Sequence, residues 1–367
     1  MRSKNLNKIN LFSPINSLGY GVVGYNVWKQ LNKTHDVTLW PIPDVKNIVS
    51  PVEVKEEDIY QIRIDIDKQN IFNPDSPCLK IWHENQMAER IGRGKFFAFP
   101  FFEVEKFNQR RKTQLSSADE IIVASNWAKD VLIKNDFTQP IHVIECGVDR
   151  SIFNESNNVF DNNKCVFFNC GKWEVRKGHD ILHKAFKDAF SSNENVELWM
   201  MTENPFLNQD EKQKFEKNYQ ASNIKILPRV QYQQELAGIM NKVFCGVFPS
   251  RAEGWNLEAL EIMSCGKELI ITNCSAHMQF CNNSNSHLIN IPEKEPAYDG
   301  KWFIGDNGEW ASLSGESYDQ LVENFRKVYQ KWKQVDSNYL NHNGIETSKK
   351  LSWERCSKNL NSIIFGE

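Results

Sequence analysis

FPSRAEGWNLEALEIMSCGKELIITN, residues 248–273, reads as the end of one strand, a loop, a helix and a second strand. The apolar run Cys245–Phe248 leads into it, and Ser250, Arg251, Glu253 and Gly254 occupy the loop. A helix is predicted from near Asn256 and Leu257 to Ser264, stopped by Gly266. Leu269–Thr272 is a continuous apolar run rich in β-branched residues, as expected of a strand buried on both faces. Two such strands joined by a helix make a β-α-β unit, and that unit demands a parallel sheet. The helix start offers orphan backbone N–H groups and a positive dipole end, which suits a phosphate. Glu253 on the approach loop and Glu261 two turns along the helix are spaced to hold separate hydroxyl groups of one elongated ligand. The same spacing also fits an acidic first turn and a solvated helix face.

The alternation continues in both directions and occurs twice, which predicts an α/β chain of two domains. Its 367 residues are enough for each half to bury its own core. In the first half, strands are expected near Ile9–Phe12, Val37–Trp40, Leu79–Trp82, Phe96–Phe99, Ile121–Ala124 and Ile141–Ile144. Helices there fall near Val22–Leu31, Lys106–Leu115 and Asn126–Asn135. ESNNVFDNNK, residues 155–164, is polar and Asn-rich, and is the linker candidate. Beyond it, strands are expected near Cys165–Asn169, Val196–Met200, Ile224–Leu227, Cys245–Phe248 and Leu269–Thr272. Helices are expected near His179–Phe190, Asp210–Tyr219, Glu235–Met240, Leu257–Ser264 and Ser317–Lys333. Residues 275–315, rich in Asn, Gly and Pro, are read as loops. The resulting domains are 1–154, 155–340 and a C-terminal helical segment, 341–367, packing back on the first. In open α/β sheets ligands bind beyond the carboxyl ends of the strands, so a cleft between the two domains is the expected site.

Composition narrows the function. Lys+Arg 44 against Asp+Glu 47 leaves a formal charge of -3, which gives no general electrostatic reason to bind nucleic acid. No apolar run is long enough to span a membrane, and the run before Pro14 is too short for a secretory signal, so a cytoplasmic protein is expected. The nine cysteines are scattered with no CxxC pair, indicating neither a disulfide framework nor a zinc site.

Three further segments carry candidate residues. In FFNCGKWEVRKGHDIL, residues 167–182, a strand runs into a loop bearing Lys172, Arg176 and Lys177, cations placed to neutralise a diphosphate leaving group. Near the N-terminus, Gly19 and Gly21 follow the first strand at the start of a helix and allow close backbone approach to a ligand. His83 follows LKIW at a strand's carboxyl end. A solvated basic loop, a plain turn and a structural histidine are the alternatives. Asn273, Ser275 and His277 follow the strand LIIT and are candidates to line a sugar or acceptor pocket, or simply form a loop.

The E-x7-E pair Glu253 and Glu261, with FPSRA before and MSCG after, resembles the corresponding segment of GT-B nucleotide-sugar glycosyltransferases, particularly glycosyltransferase family 4. The loop carrying Lys172 and Lys177 is similar to that family's G-R-x4-K-G element, with Lys172 in place of the usual Arg. Gly19 and Gly21 look like its first-loop glycines, and His83 stands where its members often have a donor-sugar histidine. VASNWAKDVL and ECGVDRSIF, from Val123 and Glu145, look like the segments that close its first domain.

The resemblance implies two Rossmann-like domains facing each other across a cleft. It implies a retaining hexosyltransferase that uses a UDP- or GDP-sugar, with no cofactor and no metal. The catalytic residues it implies are Glu253, His83 and Lys177. The donor-binding set is Gly19, Gly21, Lys172, Arg176, Lys177, Gly254, Trp255, Asn256, Leu257 and Glu261. For the acceptor, residues 89–112 hold seven Lys/Arg against three Glu, interleaved with phenylalanines, in the first domain. Arg90, Arg93 and Lys95 are the acceptor-side candidates. A glycan is the expected acceptor, with peripheral membrane contact a further possibility. Hydroxymethylated pyrimidine in viral DNA is the alternative, and a catalytically silent nucleotide-sugar binder a third reading.

Overall fold

The computed structural model describes residues 6–42, 51–53, 56–157, 160, 163–191 and 194–366. The first lobe holds a six-stranded parallel sheet of β1 (Lys8–Phe12), β2 (Asp36–Trp40), β3 (Cys78–His83), β4 (Phe96–Phe101), β5 (Glu120–Val123) and β6 (Ile141–Val143), in the order β2-β1-β3-β4-β5-β6. Its helices are α1 (Gly19–Leu31), α2 (Glu56–Asp67), α3 (Gln109–Leu115) and α4 (Asn126–Lys134). The second lobe holds β7 (Cys165–Gly171), β8 (Val196–Thr202), β9 (Ile224–Ile226), β10 (Cys245–Phe248), β11 (Glu268–Thr272) and β12 (His287–Ile289), in the order β12-β11-β10-β7-β8-β9. Helices α5 (Leu182–Ala189), α6 (Gln209–Asn218), α7 (Gln233–Met240), α8 (Leu257–Ser264) and α9 (Glu316–Gln334) accompany it.

Burial on both faces explains why the strands read as unbroken apolar runs. In β7, Phe167 packs into one core with Phe186 and Phe325, whereas its neighbour Phe168 faces the other with Leu260 and Ile262. β4 does the same: Phe97 and Phe99 turn one way, Phe96 and Ala98 the other. The phenylalanines of residues 89–112 are therefore core, and the basic-aromatic surface expected there does not form.

Residues 275–315 correct another expectation. They contain β12 and an antiparallel hairpin of β13 (Lys294–Tyr298) and β14 (Ile304–Ala311), where loops were anticipated. The hairpin is half-exposed and short, and its Gly and Asn residues mask any alternation. Helix α2 was not anticipated, whereas α10 (His342–Lys350) and α11 (Trp353–Phe365) both fall in the helical segment expected over 341–367. α10 packs on α8 and α11 on α1, so the chain's end touches both lobes. Of the linker candidate, Glu155–Asn157 forms one tight turn, while residues 158–159 and 161–162 lie outside the described residues, as do residues 1–5 of the N-terminal stretch. Among the described residues no helix is long and apolar enough to cross a membrane.

Candidate active site between the lobes

Each sheet reverses its strand order once, between β1 and β3 in the first lobe and between β7 and β10 in the second. The loops leaving neighbouring strands at such a point diverge and open a crevice. Gly19 and Gly21 follow β1, His83 ends β3, Lys172, Arg176 and Lys177 follow β7, and Glu253 to Leu257 follow β10. The candidate residues thus border both crevices.

The two loops of the second lobe are bound to each other. The Arg251 N–H donates to the Arg176 carbonyl at 2.7 Å, and the Arg251 guanidinium reaches the Val175 carbonyl and Asp180. Gly178 has φ +75°, and a Cβ there would stand 2.3 Å from the Pro249 carbonyl oxygen, so only glycine permits the approach. Glu253 is buried between them. One carboxylate oxygen accepts from Lys177 Nζ at 2.9 Å and from Ser250 Oγ at 2.9 Å; the other pairs with Arg176 at 2.9 Å. Burial opposes its charge, but the Arg176 and Lys177 cations prevail and hold the carboxyl far below the usual range. Glu174 is held at about 2: burial again opposes ionisation, and Arg176 at 2.6 Å and Lys172 at 3.0 Å overcome it.

Arg176 also donates to the Ala252 carbonyl at 2.8 Å. With Glu174, Glu253 and Ala252 around it, its guanidinium lies beneath the site as a brace for the β10 loop. Lys172, about a third exposed, is the cation that faces the opening.

Helix α8 starts at Leu257 behind Asn256, whose φ of +86° is left-handed and whose side chain accepts from Ala259 N. Because that oxygen is the acceptor, the Asn256 amide NH₂ donates to His277 Nε2 at 2.9 Å, and His277 Nδ1–H donates to the Thr272 carbonyl at 3.0 Å. Burial pushes the His277 pKa down to about 4, so the chain stays neutral and fixes the strained cap. Ser275 Oγ accepts from Glu253 N at 2.9 Å, whereas Asn273 lies toward the far edge, bonded to Asn290. Trp255 is buried against Phe280, and its indole N–H has no hydrogen-bond partner. Glu261 is buried on α8 and accepts from Gln233 Nε2 at 3.2 Å. Burial, reinforced by Glu258, raises its carboxyl well above the ordinary value.

Across the cleft, Tyr20 sits between Gly19 and Gly21. Its hydroxyl lies 3.2 Å from the Phe101 carbonyl and 2.9 Å from His83 Nδ1; when it donates to the carbonyl it accepts from Nδ1–H, and the lone pair of the neutral ring is then on Nε2. Burial, then the nearby Lys172 cation, lowers the His83 pKa to about 4. Arg176 Nη1 of the second lobe lies 3.9 Å from the Glu103 carboxylate of the first, so the loops of the two lobes meet at the crevice. A Cβ on Gly254 would stand 3.2–3.3 Å from Phe101 and Phe102 at the end of β4, so the glycine lets the two lobes approach closely there.

Arg90, Arg93 and Lys95 are not brought to this cleft. They precede β4, at the amino ends of the strands, roughly 17 Å along a six-residue strand from the crevice. Arg93 pairs with Asp75, Arg90 with Asp119 and Lys95 with Glu120. Residues the sequence reading missed include Tyr20, Glu174 and Gln233. Tyr20 alone had a signal, since it lies between the two glycines already singled out. Among the described residues no three His, Cys, Asp or Glu side chains cluster as a metal site.

Comparison with known proteins bears on the fold and the family. Residues 164–297 match the family model described as Glycosyl transferases group 1. An uncharacterized glycosyltransferase of Methanocaldococcus jannaschii is 30% identical over 251 residues, 67% of this chain, and the match spans 59% of that relative's length. Among solved structures, Anabaena HepE in complex with UDP-glucose superposes with TM-score 0.70 at 13% identity, covering 98% of this chain and 100% of that one. A sucrose-phosphate synthase of Thermosynechococcus elongatus gives TM-score 0.68 at 12% identity, covering 97% and 98%. Residues 164–297 thus match the Glycosyl transferases group 1 model, in a chain with the GT-B fold.

Proposed function

We propose that this protein is a retaining glycosyltransferase that moves a hexose from a UDP- or GDP-sugar to the hydroxyl of a glycan. The observation that carries the reading is the meeting of the post-β7 and post-β10 loops on Glu253, at the strand-order reversal of the second sheet. The glycosyltransferase relative and the UDP-glucose complex of HepE support it.

In this reading the diphosphate lies against the α8 amides near Asn256 and Leu257, with Lys172 and Lys177 offsetting its charge. Glu261 accepts hydrogen bonds from the ribose hydroxyls. Glu253, kept ionised by its two cations, accepts from hydroxyls of the sugar, and His83 Nε2 accepts from another near the reacting carbon. The bond from the anomeric carbon to the diphosphate breaks, and the acceptor oxygen bonds to that carbon on the same face. The acceptor's proton passes to a phosphate oxygen. No protein nucleophile is needed, and the lysines and amides do the work a divalent cation would do elsewhere, so transfer is metal-independent.

The basic and aromatic segment that would have suited DNA as acceptor, residues 89–112, has its phenylalanines in the core, which leaves the glycan reading ahead. The test is calorimetric titration with UDP and GDP, followed by donor hydrolysis and transfer assays with EDTA present. Binding of neither nucleotide would sink the proposal; binding without hydrolysis or transfer to any glycan would leave a silent binder.

A further inference from the structure

The hairpin β13–β14 ends in a tip that the site described above does not use. Tyr298 and Trp302 on the tip are 59% and 39% exposed, and Phe206, on the loop after β8, is 57% exposed. Such rings are normally covered, and three together on an ordered support call for a ligand. The support is ordered: Asp299 Oδ1 accepts from the backbone N–H groups of Lys301, Trp302 and Phe303 at 2.8, 2.9 and 2.9 Å. Phe303 packs edge-on to Trp310 beneath, 4.7 Å between ring centres. Lys301 Nζ ties the two segments together, donating to the Phe206 carbonyl at 3.0 Å while lying 5.1 Å from the Trp302 ring centre.

The platform is continuous with the cleft. Lys172 Nζ, on the donor-side loop, lies 5.8 Å from the Phe206 ring centre. We propose that Phe206, Tyr298 and Trp302 form an acceptor subsite on which the sugar rings of a neutral glycan stack at the mouth of the cleft. This rests on the glycosyltransferase reading of the same site and names the acceptor it takes.

The chemistry of the patch selects that occupant. Aromatic faces are electron-rich, and the C–H groups of a sugar ring are electron-poor because each carbon bears an oxygen, so the two surfaces attract while the hydroxyls remain hydrated. Ile304, opposite Tyr298 in the hairpin register, extends the apolar rim. An anionic membrane or a nucleic acid would need surplus cations here. The two lysines of the hairpin are instead paired, Lys294 with Glu105 and Lys301 with Glu211, and Glu293, Asp299 and Glu309 lie in the same segment.

The test uses the full-length protein with UDP present, on immobilised neutral oligosaccharides including malto-, cello- and laminari-series chains. Sulfated glycans and phosphatidylcholine–phosphatidylglycerol vesicles run in parallel. Retention on at least one neutral series is expected, falling about tenfold or more in Tyr298→Ser/Trp302→Ala, as loss of two stacking rings implies. Ile71→Ser, which removes an exposed apolar side chain from the other lobe, should leave it unchanged. UDP titration of the parent tests the donor reading separately. The subsite is overturned if the parent binds no neutral glycan or if the double variant binds as well as the parent. It is equally overturned if the variant's loss is instead of vesicle binding or of dimer formation in light scattering.

Discussion

Glu253 faces two buried cations at once, so removing it and neutralising it have different consequences. Glu253→Ala leaves Arg176 and Lys177 without their shared counter-ion in a dry site and should lower stability by about 3–5 kcal/mol, read in a urea melt. Glu253→Gln keeps the shape and should lower turnover about 10²-fold or more with a smaller loss of stability. A variant with the parent's turnover would remove Glu253 from the reaction. Glu261 makes a prediction about pH. Burial raises its pKa well above the ordinary carboxyl value and so disfavours ionisation in the free site, yet the ionised form is the better acceptor for ribose hydroxyls. Binding should therefore release a proton, and UDP affinity should rise with pH until the raised pKa is passed. Calorimetry in buffers of differing ionisation heat checks this; the slope should vanish in Glu261→Gln, and a flat parent would refute the assignment. The spacing of these two carboxylates was legible in the sequence because both belong to one strand–loop–helix. The role of Arg176 was not, because its partners Ala252 and Glu253 lie 76 and 77 positions away and only the fold brings them together.

At the scale of elements, the loop from β1 into α1 separates two glycines that look alike in sequence. A Cβ on Gly21 would stand 2.2 Å from Asn16 Oδ1 and 2.4 Å from its backbone N, whereas one on Gly19 would meet nothing within 4 Å. Gly21→Ala should thus destabilise the first lobe by about 1–3 kcal/mol, measured by thermal melting. Gly19→Ala should melt like the parent but weaken nucleotide-sugar binding, because its new methyl group enters the cleft; unchanged affinity would mean that no ligand passes there. The parallel strands were readable because burial on both faces writes itself as runs such as CVFF and LIIT. That same rule explains the misreading of β4: a doubly buried strand of phenylalanines next to lysines and arginines resembles a binding surface until the sheet covers it. Helix α2, EEDIYQIRIDID, was missed because its polar residues dilute the 3.6-residue repeat, and the β13–β14 hairpin because half-exposed strands carry little apolar signal.

Across the whole molecule, the lobes are held by bonds that no single segment encodes. Trp310 Nε1 on the second lobe's hairpin donates to the Glu103 carbonyl of the first lobe at 2.7 Å, and the Asn307 carbonyl accepts from the backbone N–H groups of Glu105 and Lys106. On the other side, Arg229 donates to the Ser17 carbonyl at 2.9 Å and Gln233 N to the Pro51 carbonyl at 2.9 Å. These bonds join the two lobes, so in the proposed reaction any opening of the cleft for substrate or product would break some of them. A net hydrogen bond contributes about 0.5–1.5 kcal/mol, which is enough to shift an open–closed equilibrium by a factor of about 2 to 12. Trp310→Phe keeps most of the packing against Phe303 and removes only the bond to Glu103. Without bound nucleotide, its radius of gyration by small-angle scattering should exceed the parent's, and UDP should restore the compact value. A looser cleft also admits water to the reacting carbon, so donor hydrolysis relative to transfer should increase. Were the scattering of parent and variant to coincide with and without UDP, the hairpin would be a passive ornament of the second lobe, and closure would have to be sought in the other contacts between the lobes, among them those of Arg229, Gln233 and Gln279.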